Sequence, residues 1–197
     1  MNKIRVLDPD IIIAVKEENE KETIEYLAKS YPVVILDVNS FDKALEMIHL
    51  LGRLFRKVNK ATEMTISIRQ AFKDIRSLKL KKSYLYLIWK DPYLAAGSNS
   101  YIHSLLSLFS LSNYVAESEE NYPRVNISDH CNCDLIFLPS EPYPFRISDK
   151  LEIRRICKNS MVFSVDGEMF SWYGSRMILS AKYIKSLIPV IKQKTSR

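Results

Sequence analysis

Tyr84-Leu85-Tyr86-Leu87-Ile88-Trp89 is an apolar run that breaks directly into the loop Lys90-Asp91-Pro92-Tyr93-Leu94-Ala95-Ala96-Gly97-Ser98. A short apolar run bounded by turn residues reads as a strand. The same pattern continues downstream, with a helix from Tyr101 to Phe109, a strand from Asp134 to Leu138 and a helix from Leu151 to Cys157. A strand from Val162 to Val165 and a helix from Ser175 to Ile188 complete the series. Strands alternating with helices make an α/β lobe with a mainly parallel sheet. In such sheets ligands sit beyond the carboxyl ends of the strands. The three strands run out into Lys90–Ser98, into Pro139-Ser140-Glu141-Pro142-Tyr143-Pro144-Phe145 and into Val165-Asp166-Gly167-Glu168-Met169-Phe170-Ser171-Trp172-Tyr173-Gly174-Ser175-Arg176, so all three loops fall on one edge.

Upstream, Asp10-Ile11-Ile12-Ile13-Ala14, the charged segment Lys16 to Lys29 and Val33-Val34-Ile35-Leu36-Asp37 read as strand, helix and strand, with both strands buried as in a parallel sheet. Ser40 can cap a helix whose apolar positions Phe41, Ala44, Leu45, Ile48, Leu51 and Phe55 recur at helical spacing, and the polar break Arg56 to Lys60 ends it. The next helix, Ala61 to Leu78, carries Ala61, Met64, Ile68, Ala71, Phe72, Ile75 and Leu78 on one stripe. At 1.5 Å per residue it would be about 27 Å long, a strut.

The chain has 197 residues, 47% of them hydrophobic, which suits one large domain or two small lobes and excludes disorder. No apolar run approaches the roughly 20 residues that span a bilayer, so membrane insertion is not expected. The start, Met1 to Asp10, has no apolar core and no cleavage site for a secretory signal, so as written the chain is expected in the cytoplasm or already mature. Three cysteines, Cys131, Cys133 and Cys157, are an odd number, and reduced thiols are expected rather than a disulfide framework. The net charge of +6 comes from lysines spread over helix faces and the tail Lys192 to Arg197, with no nucleic-acid motif.

The loop Val165–Arg176 packs two acids, three aromatics, two of the chain's four glycines and an arginine together. Aromatics beside charge at a strand's end describe a ligand rim better than a core. Together the three loops, with Tyr101-Ile102-His103, resemble the helical-backbone metal receptors, the cobalamin- and siderophore-type substrate-binding proteins of ABC importers. The early Asp8-Pro9-Asp10-Ile11-Ile12-Ile13-Ala14 and the segment Val58 to Leu78 also fit. The resemblance implies an α/β fold of two parallel-sheet lobes joined by a long backbone helix. The first lobe, 1–57, is reduced; 58–80 holds the helix and 81–197 the second lobe. It further implies a metal chelate (corrinoid, haem or ferric siderophore) as ligand, no cofactor or protein-held metal, an importer permease as partner and a periplasmic or cell-envelope residence.

Carried over by motif, the rim residues are Trp89, Asp91, Tyr93 and Ser98 from the first loop, Glu141 and Tyr143 from the second, and Phe170, Trp172, Tyr173 and Arg176 from the third. Family members begin with a further strand and helix block that this chain lacks, so it reads as a fragment or as a shortened relative. The strand edge left open would invite a homodimer. Leu108-Phe109-Ser110-Leu111-Ser112-Asn113 also departs from the family, which places one or two glycines before the Asn, so this helix exit is expected to be remodelled.

Each rim residue also has a plainer reading. Trp89, Tyr93, Tyr143, Trp172 and Tyr173 suit stacking on a flat macrocycle, or they close the core at strand ends. Arg176 would meet a ligand's carboxylate or phosphate, or pair with Asp166 or Glu168. Glu141, fixed among Pro139, Pro142 and Pro144, would accept from ligand amides or close its loop. Asp166-Gly167 reads as a turn. His130-Cys131-Asn132-Cys133 lacks the paired spacing of a zinc site and reads as small buried residues at a strand entry; His103 and His49 carry no assigned role. No nucleophile elbow, phosphate loop or metalloprotease pair is present, so no enzyme is expected. The expected function is a substrate-binding protein for a metal chelate, with a non-transport relative that has lost the chelate as the alternative.

Overall fold

The computed structural model describes residues 2–76 and 79–195. Its elements in chain order begin with helix α1 (Asn2–Leu7), strand β1 (Ile12–Val15), helix α2 (Lys21–Leu27) and strand β2 (Val33–Leu36). Helices α3 (Phe41–Leu54) and α4 (Val58–Arg76) follow, then strand β3 (Lys82–Trp89), strand β4 (Leu94–Ala95), helix α5 (Tyr101–Ser107) and strand β5 (Leu111–Asn113). The last part holds strand β6 (Leu135–Pro139), helix α6 (Ile147–Ile156), strand β7 (Met161–Val165), the short helix α7 (Glu168–Ser171) and helix α8 (Met177–Thr195). By packing, the chain divides into Met1–Val38 and Asn39–Arg197.

The first unit holds a two-stranded parallel sheet in which Ile12 faces Val33 and Val15 faces Leu36. In the second unit the order is β4-β3-β6-β7, with β5 also pairing β3. β3, β5, β6 and β7 run parallel, and only the two-residue β4 is antiparallel. The sheet is therefore parallel-dominated within a mixed α/β fold. Near-continuous apolar strands follow from burial on both faces.

On one face Leu85, Leu87, Ile136, Leu138 and Val162 pack with Ile153 from α6 and with Cys157, which caps that helix. On the other, aromatic rings meet at tilted contacts: Phe137 lies 6.3 Å from Tyr84, 6.1 Å from Tyr86 and 6.1 Å from Phe163. Tyr84, Tyr86 and Phe137 are almost wholly buried, each removing an area worth a few kcal/mol from water.

The helix readings shift where caps act. The Ser40 hydroxyl accepts from the Lys43 N–H at 3.2 Å and starts α3 as expected. α4 begins at Val58, inside the stretch read as a polar break, because Arg56 turns the chain with φ 54°. Leu78, placed on the helix stripe, lies outside the described residues. α3 and α4 approach closely at Gly52, where a Cβ would stand 2.4 Å from that of Ala61. α6 begins at Ile147 rather than Leu151, since Asp149 accepts the Arg146 N–H at 2.7 Å and holds the first turn. At the helix exit that departs from the family, Ser110 takes φ 58°, a conformation that favours glycine. Among the described residues no helix is long and apolar enough to cross a membrane.

Candidate binding site

Because β3, β6 and β7 are parallel neighbours, Trp89, Pro139 and Val165 end on one edge, and the three following loops join there. Trp89, 42% exposed, meets the Tyr143 ring edge-on at 5.6 Å. Tyr143 in turn packs against Phe145 at 4.8 Å. Glu141 joins the second loop to the third: its Oε1 accepts from Trp172 Nε1 at 2.7 Å and from the Ser171 hydroxyl at 3.0 Å. Gly167 lies so close to Glu141 that a Cβ would stand 2.7 Å from its carbonyl oxygen. The Ser140 hydroxyl accepts the Gly167 N–H at 3.0 Å, so the Asp166-Gly167 turn is locked against the neighbouring strand exit.

Trp172 is 51% exposed and carries the Arg176 guanidinium 5.5 Å above its ring. Arg176 also forms an ion pair with Glu168, one of the two acids weighed as its partner. Tyr173 is half-buried and sits edge-on to Tyr101 at 5.5 Å. The loops thus bring Trp89, Tyr143, Glu141, Trp172 and Arg176 into one connected rim.

Three sequence-derived residues are placed elsewhere or otherwise engaged, and the fourth, Asp91, stays exposed in its loop. Phe170 is core: the α7 turn swings it inward, 1% exposed, to 5.6 Å from Tyr86 and 6.0 Å from Tyr183. The sequence predicts a strand-exit loop here, and the one helical turn Glu168–Ser171 is what turns the ring inward. Ser98 donates to the Ser118 carbonyl at 3.2 Å, tying its loop to the 117–120 segment. Tyr93 is half-buried against the α6-side core, with its hydroxyl 3.5 Å from Glu152, and burial pushes its pKa up. Asp91 is exposed with φ 59° before a cis Pro92.

One group that positions the rim went unread in the sequence. Lys90, next to Trp89, donates to Asp149 at 2.8 Å and to Glu152 at 2.7 Å. The bonds to Asp149 and Glu152 hold the Lys90 ammonium above the usual lysine range. For Asp149, burial pulls the pKa up, but the bonds from Lys90 and the Arg146 N–H outweigh it and the net shift is down. The partners lie 59 and 62 residues further along the chain, so no local pattern announces them.

At the opposite end of the sheet Cys131 and Cys157 form a disulfide, with Cα atoms 4.6 Å apart, while Cys133 is free and buried. This corrects the expectation of reduced thiols: the two cysteines near in sequence are not the pair, and the partner comes from the end of α6. His130 donates within its own loop, from Nδ1 to the Asn126 carbonyl at 2.8 Å.

The chain belongs to the periplasmic binding protein family, whose sequence model matches residues 1–134. Two of the three rim loops lie beyond that stretch, and structural likeness extends over them. The periplasmic vitamin B12 binding protein BtuF of Vibrio cholerae superposes with a TM-score of 0.77 at 18% identity, covering 97% of this chain and 78% of that one. An ABC transporter substrate-binding protein from Listeria monocytogenes EGD-e gives 0.75 at 22% identity over 92% and 77%. The periplasmic heme-binding protein RhuT from Roseiflexus sp. RS-1 gives 0.72 at 13% identity over 95% and 77%. At these identities the likeness shows the fold. No curated protein matches the chain by sequence.

Proposed function

We propose that this chain is a substrate-binding protein for a metal chelate (a corrinoid, haem or ferric siderophore) that serves an ABC importer. The observation that carries the reading is a rim linked across three strand exits: the Trp89 ring meets Tyr143, Glu141 from the same loop as Tyr143 accepts from Trp172, and a guanidinium lies beside the Trp172 ring. Large rings with polar tips suit a flat ligand whose face is apolar and whose edge carries acids or amides. Family membership supports the same reading, since the family is one of solute-binding proteins rather than enzymes. Release intact to a permease is the corresponding mechanism, with no bond made or broken. Trp89, Asp91, Tyr143, Trp172, Tyr173 and Arg176 are the proposed ligand contacts, and Glu141 is the strut that orients Trp172.

A second reading has one observation in its favour. The Trp172 N–H and the Arg176 guanidinium are already engaged by Glu141 and Glu168, as they would be in a relative that keeps the rim without a chelate. Fluorescence separates the two. Trp89 and Trp172 are the chain's two tryptophans and both stand on the rim, so a bound corrinoid, haem or ferric chelate quenches most of the emission. Unchanged emission at saturating concentrations of all three, with no added mass in native mass spectrometry, would favour the second reading.

A further inference from the structure

The connection between α3 and α4, Arg53-Leu54-Phe55-Arg56-Lys57-Val58-Asn59-Lys60, gathers four cations, and no Asp or Glu occurs between Met47 and Thr62. All eight residues are exposed. Among the described residues none of the four cations makes an ion pair. Three apolar side chains stand between them in water: Leu54 is 38%, Phe55 52% and Val58 51% exposed.

The elbow is held in shape. The Lys57 N–H reaches the Gly52 carbonyl at 2.6 Å, and Gly52 lies against Ala61, so the apolar groups are presented rather than left to fold back. A depression of about 640 Å³ is lined by the four cations with Val58 and Asn59. A second, of about 280 Å³, is lined by Met47, Leu51, Phe55 and Met64 and is shared at Lys57 and Lys60. The first turn of α4 contains no acid, although the positive end of a helix dipole favours one. Cations stacked on that end repel one another unless a negative charge faces them.

We infer that this elbow docks on an anionic lipid bilayer, with Arg53, Arg56, Lys57 and Lys60 at the phosphates and Leu54, Phe55 and Val58 entering the headgroup boundary. A bilayer offers phosphate and hydrocarbon within a few ångströms of each other. A nucleic acid would leave Leu54 and Val58 against its charged backbone, and an acidic protein face would leave all three apolar groups unmatched. The inference does not rest on the chelate, although Gly174 of the third rim loop also lines the apolar depression.

The test is co-sedimentation of the full chain with vesicles of phosphatidylcholine alone or doped with phosphatidylglycerol, at low and physiological salt. The chain is expected to bind the doped vesicles only. Arg53→Gln/Arg56→Gln/Lys57→Gln/Lys60→Gln should weaken partition by about 100-fold or more. Phe55→Ser keeps the charge and should weaken it by about tenfold. A charge-matched control on exposed lysines elsewhere, Lys29→Gln/Lys73→Gln/Lys158→Gln/Lys182→Gln, should bind as the parent does. Circular dichroism confirms that each variant is folded. Failure to bind doped vesicles at low salt overturns the inference, as does equal loss in both quadruple variants, which would reduce the effect to net charge. It is equally overturned if Phe55→Ser has no effect while single-stranded DNA binds through the same four cations. Light scattering that shows the elbow joining two copies, without vesicle binding, also overturns it.

Discussion

The two ends of the parallel strands β3, β6 and β7 are made of the same three elements and differ in what their side chains do. At the amino end, Asp134 accepts from Lys82, from the Ser83 N–H and from the Ser83 hydroxyl, all within 2.9 Å, and the Cys131–Cys157 disulfide lies close by. At the carboxyl end, two tryptophans are left about half in water. Polar groups are fastened at one end, and large apolar surfaces are presented at the other. A parallel sheet allows this division because all its strands start together and finish together. Substitutions should therefore separate into those that lower stability and those that leave it intact and alter binding.

The largest effect is expected where the two ends share a core. Phe170→Ala removes a ring packed against Tyr86, Phe137 and Tyr183 and should cost about 3–5 kcal/mol, read as a lower midpoint in urea unfolding. A stability loss within about 0.5 kcal/mol would return Phe170 to the rim. Next comes the amino end. Cys131→Ser/Cys157→Ser opens a loop with a sequence separation of 26 and should cost about 3 kcal/mol on the chain-entropy account. A reductant should lower the melting temperature of the parent and leave the double variant unchanged. Chelate affinity of the refolded variant should be unaltered, because the bond is at the far end of the sheet.

The bond at the base of the rim is expected to matter less, and its pH dependence has a definite sign. Asp149→Asn weakens the hold on Lys90 and on the first turn of α6 and should cost about 2 kcal/mol. The folded Asp149 carboxyl is depressed, so its contribution is complete above about pH 4, the ordinary aspartate range, and is lost as pH falls through the lower folded value. Lys90 is raised, so its contribution is complete below about pH 10.4 and is lost only in stronger alkali. Between those limits this cluster should leave stability flat with pH. The parent and Asp149→Asn should differ by a constant amount near neutral pH, and acid titration should close that gap as the parent loses the Asp149 contribution on the acid limb.

The same contrast explains what was legible in the sequence. β3, β6 and β7 announce themselves because strands buried on both faces must be continuously apolar, and α3 because its apolar residues repeat at helical spacing. β4 and β5 are two and three residues long and hold no period to detect. The rim loops were legible through their composition, yet which ring faces out was not. Phe170 and Trp172 are two residues apart, and a single helical turn buries the first and exposes the second. Lys90–Asp149 and Cys131–Cys157 were hidden for another reason: each joins separate elements, and only the folded sheet brings their partners together.

The smallest stability effect carries the sharpest test of the comparison. Trp89 is exposed, makes no hydrogen bond through its indole among the described residues, and touches Tyr143 only edge-on. Trp89→Ala should therefore change stability by no more than about 1 kcal/mol, the scale of one aromatic contact. If Trp89 is a central contact of the proposed ligand, the same change should weaken chelate binding by at least about tenfold, measured by quenching of the remaining Trp172. Trp172→Phe is the complementary variant, because it loses the bond to Glu141 and reports through Trp89 alone. A Trp89→Ala variant that is destabilised by several kcal/mol and binds normally would make the carboxyl end a second fastening rather than a presented face. Normal stability with weakened binding is the result that the division of the sheet requires.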